Sequence, residues 1–305
     1  MKRQVFALIS IFFAFCTVEA QDFKAEMLRA ERENDTIKQK QILTEWEKVN
    51  SNDPYLYGYY FDYYYSRAWN AKDSLTTEKP VNKKYYEIPD STGKILAYLV
   101  KASVDEDLLK QAMKKIDEGI HKFPNNMDLR QMKIYALAAE LEDWNTFEKE
   151  MISVIDYSNV INNKWETTSP NYGERDFVAN MLDYTELLLW SANANDYKTE
   201  DSIKIQQVIK ICDELQRFYP DNVEVLVLLS SAYLTNYETE KALDYLKKAE
   251  RIEPNNELVL LNLANAFLKS GDKQMAIEYC ERVSNNENST SYAKQQAKEF
   301  MDSIK

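Results

Sequence analysis

This sequence predicts an all-α fold, an α-solenoid of stacked antiparallel helix pairs, and three observations carry that reading. Glycine and proline number only 5 and 7 in 305 residues, which suits helices with short connectors better than an all-β fold. Hydrophobic residues make up 45%, enough for a sizeable core. Five segments then repeat one pattern. Trp46, Ile116, Cys212, Leu246 and Cys280 each have Ile42, Ala112, Val208, Ala242 or Ala276 four positions earlier, and Val49, Gly119, Leu215, Ala249 or Val283 three positions later. Spacings of four and three mark one helical face. Eight positions on stands Pro54, Pro124, Pro220 or Pro254, with Asn288 in the fifth copy. A proline there stops one helix and opens the next. One helix pair cannot bury its apolar face alone, so the pairs must stack.

In chain order, the first element is a basic n-region, Lys2 and Arg3, followed by the apolar run VFALISIFFAFC and by V-E-A at 18–20. This is the pattern of a cleaved secretory signal over 1–20. It leaves residues 21–305 as a single helical-repeat domain, periplasmic or extracellular. Phe15 stands where a lipidated Cys16 would need a small residue. No later run is apolar enough to span a membrane. The net charge of −12 disfavours a phosphate backbone as partner, so no nucleic acid is expected.

YLYGYYFDYYYSRAW, 55–69, holds seven tyrosines. Asp53 as N-cap and Pro54 at the first helical position predict a helix rather than a strand. KYYEIPDSTGKILAYLV, 84–100, has two β-prone runs around a turn-rich Pro-Asp-Ser-Thr-Gly and predicts a hairpin inserted within one helix pair. The stretch 158–174 reads as a long loop, and 290–304 as a solvating cap helix.

The repeats resemble the tetratricopeptide repeat. The match is best over 223–256, with Leu226, Leu229, Tyr233, Ala242, Leu246, Ala249 and Pro254, and over 257–288, with Leu260, Leu263, Ala264, Phe267, Gly271, Ala276 and Cys280. Looser units near 22–54, 55–124, 127–157 and 175–220 extend it. In that register Tyr60, Tyr63 and Tyr64 face a partner helix. Phe61, Tyr65 and Trp69 fall on the strip that such arrays turn toward a concave groove, as do Tyr135 and Asn265 in other repeats. The resemblance implies a scaffold binding a protein or peptide partner in the cell envelope, without catalysis or cofactor. A carbohydrate ligand on the aromatic strip is the alternative. A clamp for a terminal carboxylate is not supported, because Leu261 stands at its lysine position.

The residues carry little other chemistry. His121 is the single histidine and is expected to face solvent. No glycine-rich phosphate loop is present. Cys212 and Cys280 occupy one register position two repeats apart, beyond disulfide reach, and read as buried thiols. Asp followed by Ser/Thr and an aliphatic residue or Thr recurs at Asp35, Asp73, Asp90, Asp201 and Asp302. This resembles an O-glycosylation motif of secreted Bacteroidota proteins.

Overall fold

The computed structural model describes residues 23–69, 74–81, 85–100, 104–141, 143–168, 173–193 and 199–304. The expected signal at 1–20 lies outside them. The chain clusters into two compact units, one ending at Leu129 and one beginning at Arg130, where the sequence reads as a single domain.

The first unit opens with α1 over 23–32, α2 (Thr36–Val49) and α3 (Pro54–Ala68). Asp35 caps α2 by accepting from the Lys38 N–H, and Asp53 caps α3 with Pro54 at the first helical position, as the sequence predicts. Phe23, Met27 and Ala30 bury one face of α1, and Phe23 stacks on Trp46 at 5.7 Å. The helix α4 (Glu106–Lys122) packs against α3. That approach is unusually close at Gly119. A Cβ there would stand 2.6 Å from the Tyr57 Cβ and 3.2 Å from the Leu129 Cδ1. Glycine at this position leaves room for the tyrosine ring where the other repeats carry alanine, valine or leucine.

Between α3 and α4 lies a three-stranded antiparallel sheet rather than a bare hairpin. β2 (Tyr85–Pro89) and β3 (Ile95–Val100) form the hairpin, and β1 (Ser74–Thr76) adds to the other side of β3, giving the order β1-β3-β2. The turn places Gly93 at φ 87°, and the Asp90 carboxylate accepts from the Thr92 and Lys94 N–H groups. That left-handed φ suits glycine. Tyr85 and Tyr98 meet edge to face at 5.3 Å across the ladder, a contact that fixes register.

The second unit continues α5 (Met127–Tyr135) through a π-type turn, Ala136–Glu140, into α6 (Trp144–Val160). Then follow α7 (Glu174–Asn193), α8 (Thr199–Phe218), α9 (Val223–Thr235), α10 (Thr239–Ile252), α11 (Glu257–Lys269), α12 (Lys273–Asn285) and α13 (Ser291–Ile304). Consecutive helices pack as pairs. In addition α7 touches α9, α9 touches α11 and α11 touches α13, while α8, α10 and α12 make no comparable contact with one another. The first helix of each pair therefore forms the inner layer of the α7–α13 stack.

The predicted core register holds, with one exception. Trp46, Ile116, Cys212, Leu246 and Cys280 are all fully buried, as are the alanines at 112, 242 and 276. Val49 is exposed, because it is the last residue of α2 and the chain turns away at Asn50. The prolines of the repeat pattern are corrected in detail. Of the four, only Pro54 opens a helix. Pro124, Pro220 and Pro254 sit inside tight turns in which the N–H of residue 126, 222 or 256 bonds the carbonyl of residue 123, 219 or 253. Proline presets the second turn position. The cap is the residue two further on: Asn126, Asn222 and Asn256 accept N–H bonds from the helices they precede. Thr290 does the same for α13. Side chains also tie repeat to repeat. Lys248 donates to the Pro220 carbonyl at 2.6 Å, and Arg282, 34 residues later, donates to the Pro254 carbonyl at 2.9 Å.

The loop after α6 is not featureless. Trp165 is buried, stacks on Phe177 at 6.0 Å and donates its indole N–H to the buried Ser158 hydroxyl at 2.8 Å. Ser158 in turn bonds Asn163, whose side-chain oxygen also accepts from the Tyr219 hydroxyl at 3.0 Å. Arg130 lies over the Tyr157 ring at 4.9 Å and the Trp165 ring at 5.5 Å. Its guanidinium stands 3.7 Å from Glu150, and the Lys133 ammonium stands 2.6 Å from the other Glu150 oxygen.

Cys212 and Cys280 are free, buried thiols. Burial pushes the Cys280 thiol up to about 11 and the Cys212 thiol higher still. A protonated, enclosed thiol is a poor nucleophile. The chain from Gln21 onward should therefore give no reaction with a thiol reagent when native and two equivalents in denaturant. Fast labelling of the native chain would contradict this burial.

Candidate functional site

The aromatic stretch divides α3 into two faces. On one, Phe61, Tyr65 and Trp69 stand a turn apart, with ring centroids 5.0 Å and then 6.2 Å from each other. Phe61 is 4% exposed, and Tyr65 and Trp69 are half-buried. The row is mostly packed surface, and only its last two rings offer a flank to a ligand. The Trp69 indole N–H is buried and meets no acceptor among the described residues.

The other face is polar and charged. Tyr60 and Tyr64 are buried, as the register implies. Tyr60 donates to Glu47 of α2 at 2.8 Å, and Lys115 of α4 reaches the other Glu47 oxygen at 2.9 Å. Burial works against the Glu47 carboxylate, but the hydrogen bonds from Lys115 and Tyr60 outweigh it and hold the group below its usual range. Burial, then the bond to Glu47, pushes the Tyr60 phenol up. Lys40 of α2 donates to the Tyr64 hydroxyl and lies 4.5 Å from the Tyr64 ring centre and 5.1 Å from that of Tyr60. Tyr63 looks toward α2, whose Lys40 ammonium lies 5.7 Å from its ring centre. It is half-exposed, with the Arg67 guanidinium over its ring at 5.0 Å.

Between α2 and α3 lies an open groove of about 610 Å³. Ile37, Lys40, Glu45 and Lys48 line it from α2, and Tyr63 and Arg67 from α3. Among the described residues, three cations thus meet one carboxylate on the surface of a chain whose net charge is −12.

In the second unit Tyr135 is 53% exposed on α5. Asn265 is half-buried on α11, on one face with Asn262 and the exposed Leu258. Tyr135 and Asn265 stand on different helices, α5 and α11. Tyr135 lies near Tyr184 of α7, whose phenol is raised by burial and then by the charges of Asp183 and Tyr135. The sequence reading missed Trp190, which is 68% exposed on α7 and shares a face with Leu187 and Asp183. The signal available was its spacing of three and seven from those residues. Loss of water around Glu186, then the carboxylates of Asp183 and Glu224, pushes the Glu186 carboxyl up. This face of α7 therefore lies beside the start of α9.

His121 is exposed near the end of α4. Among the described residues, no three His, Cys, Asp or Glu side chains gather where they could hold a metal ion. No described helix is long and apolar enough to cross a membrane.

Residues 233–298 match the family model of the tetratricopeptide repeat. No curated protein matches the chain. Among solved structures, TTC0263, a tetratricopeptide repeat protein of the thermophile Thermus thermophilus, is 12% identical, with 64% of this chain and 92% of that one covered at a TM-score of 0.42. MamA of Desulfovibrio magneticus is 15% identical, covering 64% and 86% at 0.36. PilW, a widely conserved type IV pilus biogenesis factor, is 11% identical, covering 92% and 98% at 0.39. Likeness at this level says nothing about partners. Helix caps at Asn222, Asn256 and Thr290 recur on a 34-residue period, and the segment they punctuate, residues 233–298, is tetratricopeptide-repeat in kind.

Proposed function

We propose that the chain is an exported, non-catalytic scaffold that holds a protein or peptide partner on the inner helix layer of its second unit. The observation that carries this reading is the exposed strip on α7, where Trp190 is 68% and Leu187 42% exposed, with the exposed Tyr135 beside α7 on α5. Large side chains left bare on one face of a repeat array suit an interface, where aromatic anchors supply much of the binding energy. The signal-like residues 1–20 support export to the periplasm or beyond, and the envelope is then where the partner is met.

Two measurements test this. Tagged chain from Gln21 onward is incubated with envelope extract of its host, alongside a Tyr135→Ala, Trp190→Ala variant checked by circular dichroism. Capture of a defined protein by the wild type, lost in the folded variant, is the expected result. Capture that ignores the variant, or no capture at all, sinks the binding face. Mass spectrometry of the full-length gene product should give a mature N-terminus near Gln21, and an intact Met1 in the exported fraction would refute cleavage.

A further inference from the structure

We propose that the groove between α2 and α3 is a second docking site, and that its occupant is an acidic segment of a partner protein in extended form. This gives one partner chemistry to the scaffold reading above but uses a different face, so the two can fail separately.

Charge decides the occupant. Lys40, Lys48 and Arg67 line the groove, and Glu45 is the one carboxylate among its described walls. Glu47, on the same helix, is engaged by Lys115 and Tyr60 and also feels the charge of Lys40, which itself donates to Tyr64, so Lys48 and Arg67 are the cations set against Glu45. The excess positive charge belongs to this face, while the chain as a whole is acidic. A long-range field would repel an acidic peptide, so any attraction must come from contacts inside the groove. The walls also have apolar surface. Ile37 is 72% exposed at one end, and the Tyr63 ring stands half-exposed along the side. An aliphatic residue among the acids has somewhere to pack.

Length follows from helix geometry. Ile37 to Lys48 is eleven residues along α2, or roughly 16 Å at about 1.5 Å per residue. An extended strand advances about 3.3 Å per residue, so the groove accommodates about five. Arg67 offers a planar fork suited to a carboxylate, and Lys48 a mobile point charge.

The test uses the chain from Gln21 and a blocked peptide, Glu-Asp-Leu-Asp-Glu, with fluorescein at the N-terminus and an amide at the C-terminus. A control peptide replaces its acids with Gln and Asn. Fluorescence anisotropy at low salt should show binding of the acidic peptide, weakened by added salt, and little binding of the control. A Lys48→Glu, Arg67→Glu variant, confirmed folded by circular dichroism, should lose about ten-fold or more in affinity. Carbodiimide crosslinking to wild-type protein should place the peptide on Lys48 or Lys40. Equal binding of the control, unchanged affinity in the variant, crosslinks elsewhere, or no binding up to about 1 mM protein would each overturn the proposal. If it falls while capture through Tyr135 and Trp190 persists, only this second site is lost.

Discussion

Replacing Glu150 with alanine is expected to destabilise the second unit by about 3 kcal/mol. The carboxylate is 11% exposed and stands between the Lys133 ammonium, 13% exposed, and the Arg130 guanidinium, 7% exposed. Burial already pulls the Arg130 guanidinium downward, and Glu150 is the leading group opposing that pull. Without it, two cations remain in a space from which most water is excluded. The cost is that of removing a shared charge partner from desolvated cations rather than of one lost contact. Arg130 also lies over Tyr157 and Trp165, so the loop that Trp165 anchors should loosen with it. Urea unfolding followed by circular dichroism measures the loss, and quenching of buried tryptophan fluorescence reports the loop. A triple Arg130→Met, Lys133→Met, Glu150→Met variant should recover much of the stability, since apolar groups of similar size often replace a buried ionic cluster without penalty. A Glu150→Ala protein as stable as wild type would show that water or other side chains satisfy the two cations.

Trp46→Ala should cost the first unit about 3–5 kcal/mol. The ring is fully buried, stacks on Phe23 at 5.7 Å and leans on Tyr59 at 5.7 Å. Removing it leaves a cavity between α1, α2 and α3 into which the surroundings relax only in part. Trp46→Phe separates the ring from its nitrogen. The indole N–H is buried and has no hydrogen-bond partner among the described residues, so phenylalanine relieves a desolvated donor while keeping most of the packing. It should cost about 1 kcal/mol or less. Equal losses for the two variants would mean that the nitrogen has an acceptor after all. Because the chain forms two compact units, each variant is best read with a probe in its own unit, not from one global transition.

Those two positions differ in how far the sequence exposed them. Trp46 occupies a register position whose neighbours at −4 and +3 announce a buried helix face. Glu150 pairs with residues 17 and 20 positions away, across a π-type turn and onto another helix, and no local spacing encodes that. Trp165 was hidden for a related reason. A tryptophan in a polar loop looks like any exposed aromatic until Ser158 and Phe177 are seen to enclose it. β1 is three residues long and owes its existence to the free edge of β3, where Ser74 pairs with Val100, a partner too distant for any local pattern to show. At the candidate sites, Phe61, Tyr65 and Trp69 make one row of ring contacts, but periodicity cannot say whether such a row is covered. The lysines and arginine of the α2–α3 groove were invisible as a group, since charges at exposed helical positions are the ordinary solvated face of any such helix.

The helix caps at Asn222, Asn256 and Thr290 have a consequence for how such a chain can change. Each cap, with the turn that precedes it, is contributed by the tail of one 34-residue cassette and serves the head of the next. Excising or duplicating 223–256 would join a capping residue to a helix start at either seam, without a single mismatched boundary. The Lys248 and Arg282 ties, each reaching back 28 residues to the preceding turn, would re-form between whichever cassettes became adjacent. The number of cassettes is therefore a free variable of this design, and the array can grow or shrink by unequal recombination while its local chemistry stays intact.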